Sequence, residues 1–214
     1  MKHESHLELS FANGLEEDKF KDIAEDLREG GADVALRRRP PEGPWASLHW
    51  LIPTAVILLF AKPYLQGFFT ETGKLHADGL HKALSKLWNR AFGPKPEITY
   101  TTVGPGGNAR EVFSHAFSVR STRNDGGAVI LLTPSATSLE DFSLAVDRFI
   151  ALMGKHYALS GADPLTRAMV LVPYLDHPHW PTLIYMNPET KSLELIDYVK
   201  SSQARKITTY KISQ

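Results

Sequence analysis

Cysteine is absent from all 214 residues. Disulfide scaffolds, thiol nucleophiles and cysteine-ligated zinc are therefore excluded outright. A surplus of charge is also missing: Lys+Arg 24 stand against Asp+Glu 24, for a formal net charge of +0. A chain without a basic excess lacks the usual electrostatic footprint of a nucleic-acid binder. The opening stretch MKHESHLELSF has no apolar core of the kind that drives secretion, which sets the expectation of a cytoplasmic protein. The phosphate-binding and nucleophile motifs are missing too. The run Gly104 to Asn108, GPGGN, is followed by no Gly-Lys-Ser/Thr and lacks the GxGxxG spacing, and no glycine-flanked serine elbow occurs. There is no internal repeat.

What is present is ordinary for a folded domain: 43% hydrophobic and 22% charged residues, at a length that fits one domain, with two lobes (1–93 and 94–214) as a subdivision. The exception is Leu48 to Phe69, LHWLIPTAVILLFAKPYLQGFF. Its cleanly apolar part, Leu51 to Ala61, is shorter than the roughly 20 residues a spanning helix needs, and Lys62 and Pro63 interrupt it. The stretch accordingly reads as a central, buried, Pro-kinked helix, with Ile52, Val56, Leu59 and Phe60 inward and Ala55 and Leu58 to the side. Membrane insertion of 48–69 is the alternative.

Around this stretch the pattern is α/β. His6 to Phe11 alternates as a strand, Leu15 to Glu29 is an amphipathic helix, and Ala32 to Arg38 is a second strand, together a β-α-β opening. Lys74 to Phe92 reads as a helix with Leu80, Leu84 and Leu87 inward and Lys82, Lys86 and Arg90 on the wet side. Strands follow at Ile98 to Val103 and Val112 to Arg120. Asn124-Asp125-Gly126-Gly127 is a hairpin turn into the apolar strand Ala128 to Thr133. Ser138 with Asp141 starts a further helix. The last strands are expected at Ala168 to Tyr174, Pro181 to Met186, Leu193 to Tyr198 and Lys206 to Ile212. The fold class is thus α/β (α+β), with a mixed, largely antiparallel sheet and packed helices.

Three sets of side chains are candidates for a site. Asp176, His177 and His179 are a low-specificity metal cluster, because two histidines one residue apart on a strand share a face. His156 or His115 would complete it. Arg110, Arg120 and Arg123 are anion-binding candidates around the 104–108 turn. Trp45, Trp50, Tyr64, Phe68 and Phe69 flank the apolar stretch and are partner-binding candidates, since aromatic residues are enriched at interfaces. The Lys82, Lys86 and Arg90 stripe reads as a solvated face. The expected function is a non-catalytic, cofactor-free protein-interaction module: an accessory subunit, inhibitor or immunity-type partner of another protein or of a second copy. A membrane-active effector using 48–69 and a small metal-dependent enzyme using Asp176, His177 and His179 are the alternatives.

Overall fold

The computed structural model describes residues 5–39, 55–67, 71–98, 113–159, 161–204 and 206–213, with backbone alone at 67, 71–76 and 115. The elements run β1 (Leu7–Ala12), α1 (Asp18–Glu29), β2 (Val34–Arg39), β3 (Val56–Phe60), α2 (Lys62–Gly67), α3 (Glu71–Phe92), β4 (Phe113–Thr122), β5 (Ala128–Pro134), α4 (Leu139–Ala158), α5 (Pro164–Met169), β6 (Thr182–Met186), β7 (Leu193–Ile196), α6 (Tyr198–Ala204) and β8 (Thr209–Lys211). The described strands form one eight-stranded sheet in the order β2-β1-β3-β4-β5-β6-β7-β8. It is mixed: β1–β2, β3–β4 and β5–β6 are parallel, and the remaining neighbours are antiparallel. The β3–β4 pairing, Val56 opposite Phe117 through Leu59 opposite Arg120, carries the sheet without a break from the first half of the chain into the second.

Alternation along the strands separates two cores. Leu7, Leu9, Phe11, Val56, Leu58, Phe60, Phe117, Val119, Val129 and Leu131 point to one face, where Phe20, Ile23 and Leu27 of α1, Leu80, Leu84 and Leu87 of α3, and Phe142, Val146, Phe149 and Met153 of α4 cover them. On the opposite face Phe113, Ile130, Leu132, Leu183 and Ile196 form a smaller cluster. This explains why β5 is apolar at every position from Val129 to Leu132: successive side chains serve different cores.

The central apolar stretch is the main correction. Its described part, Val56–Phe60, is a strand and not a helix. It lies between β1 and β4 in the interior of the sheet. Leu58 is fully buried and Leu59 only half-buried, the reverse of the helical expectation. The run is too short for a stable helix, and it is β-branched at Val56 and Ile57, which suits a pleated strand. Pro63 kinks nothing, because it sits in the first turn of α2, where the missing N–H costs no hydrogen bond. Ile52 lies outside the described residues, as do the strand expected from Ile98 to Val103, apart from Ile98 itself, and the 104–108 turn. Among the described residues no helix is long and apolar enough to cross a membrane.

Ala168 to Tyr174 is a second correction, being the end of α5 and a 3-10 turn at Pro173–Asp176. Asp163 caps α5 by accepting the Thr166 N–H at 3.0 Å, with Pro164 at the first helical position. Likewise β7 stops at Ile196 because Asp197 accepts the Lys200 N–H at 2.9 Å and opens α6.

The contact of α1 with α3 rests on two glycines. A Cβ on Gly79 would lie 2.8 Å from the Asp26 carbonyl oxygen and 2.8 Å from Gly30 Cα, both of them backbone. Gly→Ala inside a helix ordinarily stabilises by about 1 kcal/mol. Here the sign reverses: Gly79→Ala must push the helices apart, and overpacking of this kind costs about 1–3 kcal/mol. The expected result is a lower denaturation midpoint at unchanged slope, and a midpoint that rises would show that the crossing is loose.

Candidate functional site

The densest polar assembly is built on the β4–β5 hairpin. Gly126, with φ 90°, supplies the left-handed residue of the turn. The Arg123 N–H donates to the Gly127 carbonyl at 2.7 Å, closing the turn. The Arg123 side chain folds beneath it. Its Nε and Nη2 donate to the two carboxylate oxygens of Asp125 at 2.9 and 2.8 Å. Its Nη1 donates to the Leu175 carbonyl at 2.9 Å and to Thr182 Oγ1 at 3.1 Å, and Nη2 also reaches the His177 carbonyl. The residue is 3% exposed. Burial pushes the Asp125 carboxyl up, but the Arg123 guanidinium and the Gly127 N–H outweigh it and hold it below the usual range. Arg123 therefore joins the hairpin to the Pro173–Asp176 turn and to β6, with its fork of donors engaged by the protein itself.

Beside it lies a histidine–carboxylate pair. His156 near the end of α4 is 5% exposed, and Asp163 is completely buried, with His156 Nδ1 and Asp163 Oδ2 3.1 Å apart. Such a pair suggests a general base. The other ring nitrogen decides the matter, since Nε2 accepts the backbone N–H of Asn124 at 3.1 Å. The lone pair a base would use is committed to the hairpin. The Asn124 side-chain amide returns a bond to the His156 carbonyl at 3.1 Å, and Lys62 of α2 donates to Asn124 Oδ1 at 3.0 Å. The neighbouring hydroxyls close in the same way: Ser121 Oγ donates to the Phe60 carbonyl and Tyr157 to the Thr122 carbonyl.

Burial pushes the Asp163 carboxyl up, yet the hydrogen bonds from Thr166 and the nearby His156 more than offset this and leave it below its ordinary range. A depressed carboxyl stabilises the fold fully above the unfolded value of about 3.9 and loses that contribution as pH falls through the lower folded value. Acid unfolding should therefore begin below about pH 4 in the parent. In Asp163→Asn the drop attributable to this group should vanish, giving a shallower stability profile over the same interval, measured as denaturation midpoint against pH. An unaltered profile would remove Asp163 as a contributor.

Two further groupings are engaged by the protein's own side chains. Lys82 and Lys86 hold Asp26 of α1 at 2.6 and 2.5 Å, and Arg90 grips both oxygens of Asp22 at 2.9 and 2.8 Å while also donating to the Lys19 carbonyl. Of the stripe expected to be a solvated face, Lys82 is 58% exposed as expected, while Lys86 and Arg90, at 34% and 21%, are drawn into an α1–α3 ion-pair seam. Tyr174, Trp180 and Tyr198 pack with ring centroids 4.7 to 6.0 Å apart, Tyr174 donates to Asp197, and the Tyr198 N–H donates to the Tyr174 hydroxyl. Burial pushes the Tyr198 phenol up to about 12. The rings meet edge-on or tilted, the arrangement aromatic side chains adopt when they pack on one another. A cavity of ≈ 20 Å³ between the end of β5 and the first turn of α4, lined by Thr133, Thr137, Asp141 and Met186 among others, has room for about one water.

The expected site residues are dispersed. Asp176 ends the 3-10 turn, His177 and His179 follow in an exposed turn, and none lies on an extended strand, so the shared-face premise for metal binding does not hold. Among the described residues no group of three His, Asp or Glu side chains gathers to hold a metal. Arg120 is half-buried on the second sheet face with Nε 3.5 Å from Ser118 Oγ, and Arg110 lies outside the described residues. Tyr64 is 4% exposed and stacks on Phe60 at 5.8 Å, which makes it a core residue. Trp45, Trp50, Phe68 and Phe69 lie outside the described residues. Exposed aliphatic side chains occur instead at Leu159, Val170, Leu171 and Val199. The Asp163-Pro164-x-Thr166 spacing was the available sequence signal for the α5 cap, whereas nothing local in the sequence marks the Asn124–His156 contact. Comparison of the chain with protein-family models, with characterised proteins and with solved structures gives no match.

Proposed function

We propose that the chain is a non-catalytic, cytoplasmic protein-interaction module, acting as an accessory subunit, inhibitor or immunity-type partner of another protein or of a second copy of itself. The observation that supports this best is that the two buried polar groups most suited to chemistry are engaged by the protein's own backbone and side chains. His156 Nε2 accepts a backbone N–H, and the buried guanidinium of Arg123 holds one carboxylate, two carbonyls and a hydroxyl. A catalytic base needs a lone pair within reach of a substrate proton, and an anion-binding arginine needs donors facing the ligand. Neither group offers that. Both instead join the β4–β5 hairpin to the elements around it, and a scaffold tied together before association carries a lower ordering cost on binding. Native mass measurement of the purified full chain, alone and after mixing with a fractionated extract of its source, tests the reading. A stoichiometric complex of defined mass is expected. A particle that stays monomeric in every fraction, or one that carries a stoichiometric metal and loses stability in chelator, overturns it.

A further inference from the structure

His156 sits between two groups that make opposite demands on its ring. On one side Nδ1 lies 3.1 Å from Oδ2 of Asp163, a carboxylate with no exposure to solvent. On the other, Nε2 accepts the backbone N–H of Asn124, in the turn of the β4–β5 hairpin, at 3.1 Å. A backbone N–H can only donate, so Nε2 is bare and the ring is neutral, with its one hydrogen on Nδ1. Turning the ring over would set carbon atoms against both partners. A second proton affects the two contacts differently. The imidazolium is drawn to Asp163, but it donates from both nitrogens, and its Nε2–H would face the Asn124 N–H, donor against donor. Histidine is the side chain whose charge ordinarily changes between about pH 5 and about pH 8.

The groups around the ring decide which contact yields. Before α5, Asp163 is itself fixed by the Thr166 N–H at 3.0 Å and the Thr166 hydroxyl at 2.6 Å. On α4, the Tyr157 ring centroid is 5.6 Å from that of His156, and Lys155 is exposed. The hairpin contributes Arg123 and Asp125, which are bound to each other at 2.9 and 2.8 Å. From α2, the exposed Lys62 reaches Asn124 Oδ1 at 3.0 Å and lies 5.2 Å from the Tyr157 centroid. Of these charged groups, Asp163 is the one at ion-pair distance from the ring. A proton on His156 therefore strengthens the Asp163 side and leaves the hairpin side to move. Asn124 is tied to α4 through His156, by its N–H on Nε2 and by its side-chain amide on the His156 carbonyl at 3.1 Å. The base of the turn is secured separately, by the Arg123 N–H on the Gly127 carbonyl at 2.7 Å and by the Arg123 side chain. We infer that His156 is a proton-operated latch: neutral, it fastens Asn124 and the tip of the hairpin to α4, and protonated, it stays beside Asp163 and releases that tip.

Amide hydrogen exchange and the histidine ring resonances of the full chain, followed from about pH 8 to about pH 5, test the latch. The Cε1–H resonance of His156 reports its protonation directly. Protection of the Asn124 amide, taken relative to the unstructured rate at each pH, should fall at least about tenfold as His156 gains its proton. The Val119 and Leu131 amides, paired in the middle of β4 and β5, should keep theirs. His156→Gln presents an acceptor oxygen that does not titrate, so Asn124 protection should stay level across the same range. His81→Gln, at a histidine 46% exposed on α3, should leave the fall in place. Should His156→Gln not fold, the parent decides alone. Asn124 protection that does not change while His156 titrates overturns the latch, as does a His156 still neutral when acid unfolding begins. A fall shared equally by Val119 and Leu131, or one that persists in His156→Gln, overturns it too, because the hairpin would then be loosening for another reason.

Discussion

Arg123→Ala is expected to lower the unfolding free energy by about 3–5 kcal/mol, the range for removing one member of a buried charged network. The loss has three parts. Its guanidinium leaves a cavity beneath the hairpin, the Leu175 and His177 carbonyls and Thr182 Oγ1 lose their donor, and Asp125 loses a bidentate partner. Asp125 is 44% exposed at its side chain, so its own loss is the smallest. Gly127 gives an independent check. A Cβ there would fall 2.4 Å from Arg123 Nη2, so Gly127→Ala must displace the guanidinium. The two substitutions should then be strongly non-additive, with Gly127→Ala costing much less once Arg123 is already alanine. Urea denaturation of the four members of this cycle measures it. Additive penalties would show that the turn glycine and the guanidinium act separately.

The hairpin was legible in the sequence and its chief residue was not, because the interactions that define them differ in range. Asn124-Asp125-Gly126-Gly127 declares a turn because the left-handed φ of Gly126 is a local requirement. Ser138 declares a helix start because its acceptor, the Asp141 N–H, lies three residues on. The β5 run Val129 to Leu132 declares two-sided burial by composition alone. Arg123, by contrast, is defined by a carbonyl and a hydroxyl more than fifty residues downstream, and nothing in its neighbourhood separates it from a solvent-facing arginine. The same holds for Lys82, Lys86 and Arg90, whose spacing gives a wet helical stripe while the carboxylates that cover it stand on α1. Local chemistry could place elements and caps. It could not tell a free ionic group from a paired one, and the candidate site residues were the ones most affected.

The central stretch failed for a different reason, and the failure yields the sharpest measurement. Val-Ile-Leu-Leu-Phe satisfies a buried helix and a buried strand equally, because an apolar run carries no period. The two structures make opposite demands on adjacent leucines. A helix with Val56 and Phe60 inward brings Leu59 in and puts Leu58 to the side. The strand sends Val56, Leu58 and Phe60 together into the larger core, fully buried, and leaves Leu59 half-buried on the opposite face, opposite Glu8 of β1 and Arg120 of β4. Leu58→Ala should therefore cost about 2–5 kcal/mol, the penalty for truncating a buried leucine where the surroundings cannot collapse. Collapse is restricted here because Leu58 is flanked by Leu9 and Val119 on the neighbouring strands, both themselves fully buried. Leu59→Ala should cost clearly less, about 1 kcal/mol, because much of the side chain is already in water. The comparison needs only two denaturation curves against the parent. A larger loss at Leu59 than at Leu58 would restore the helix and with it undo the sheet order on either side of β3.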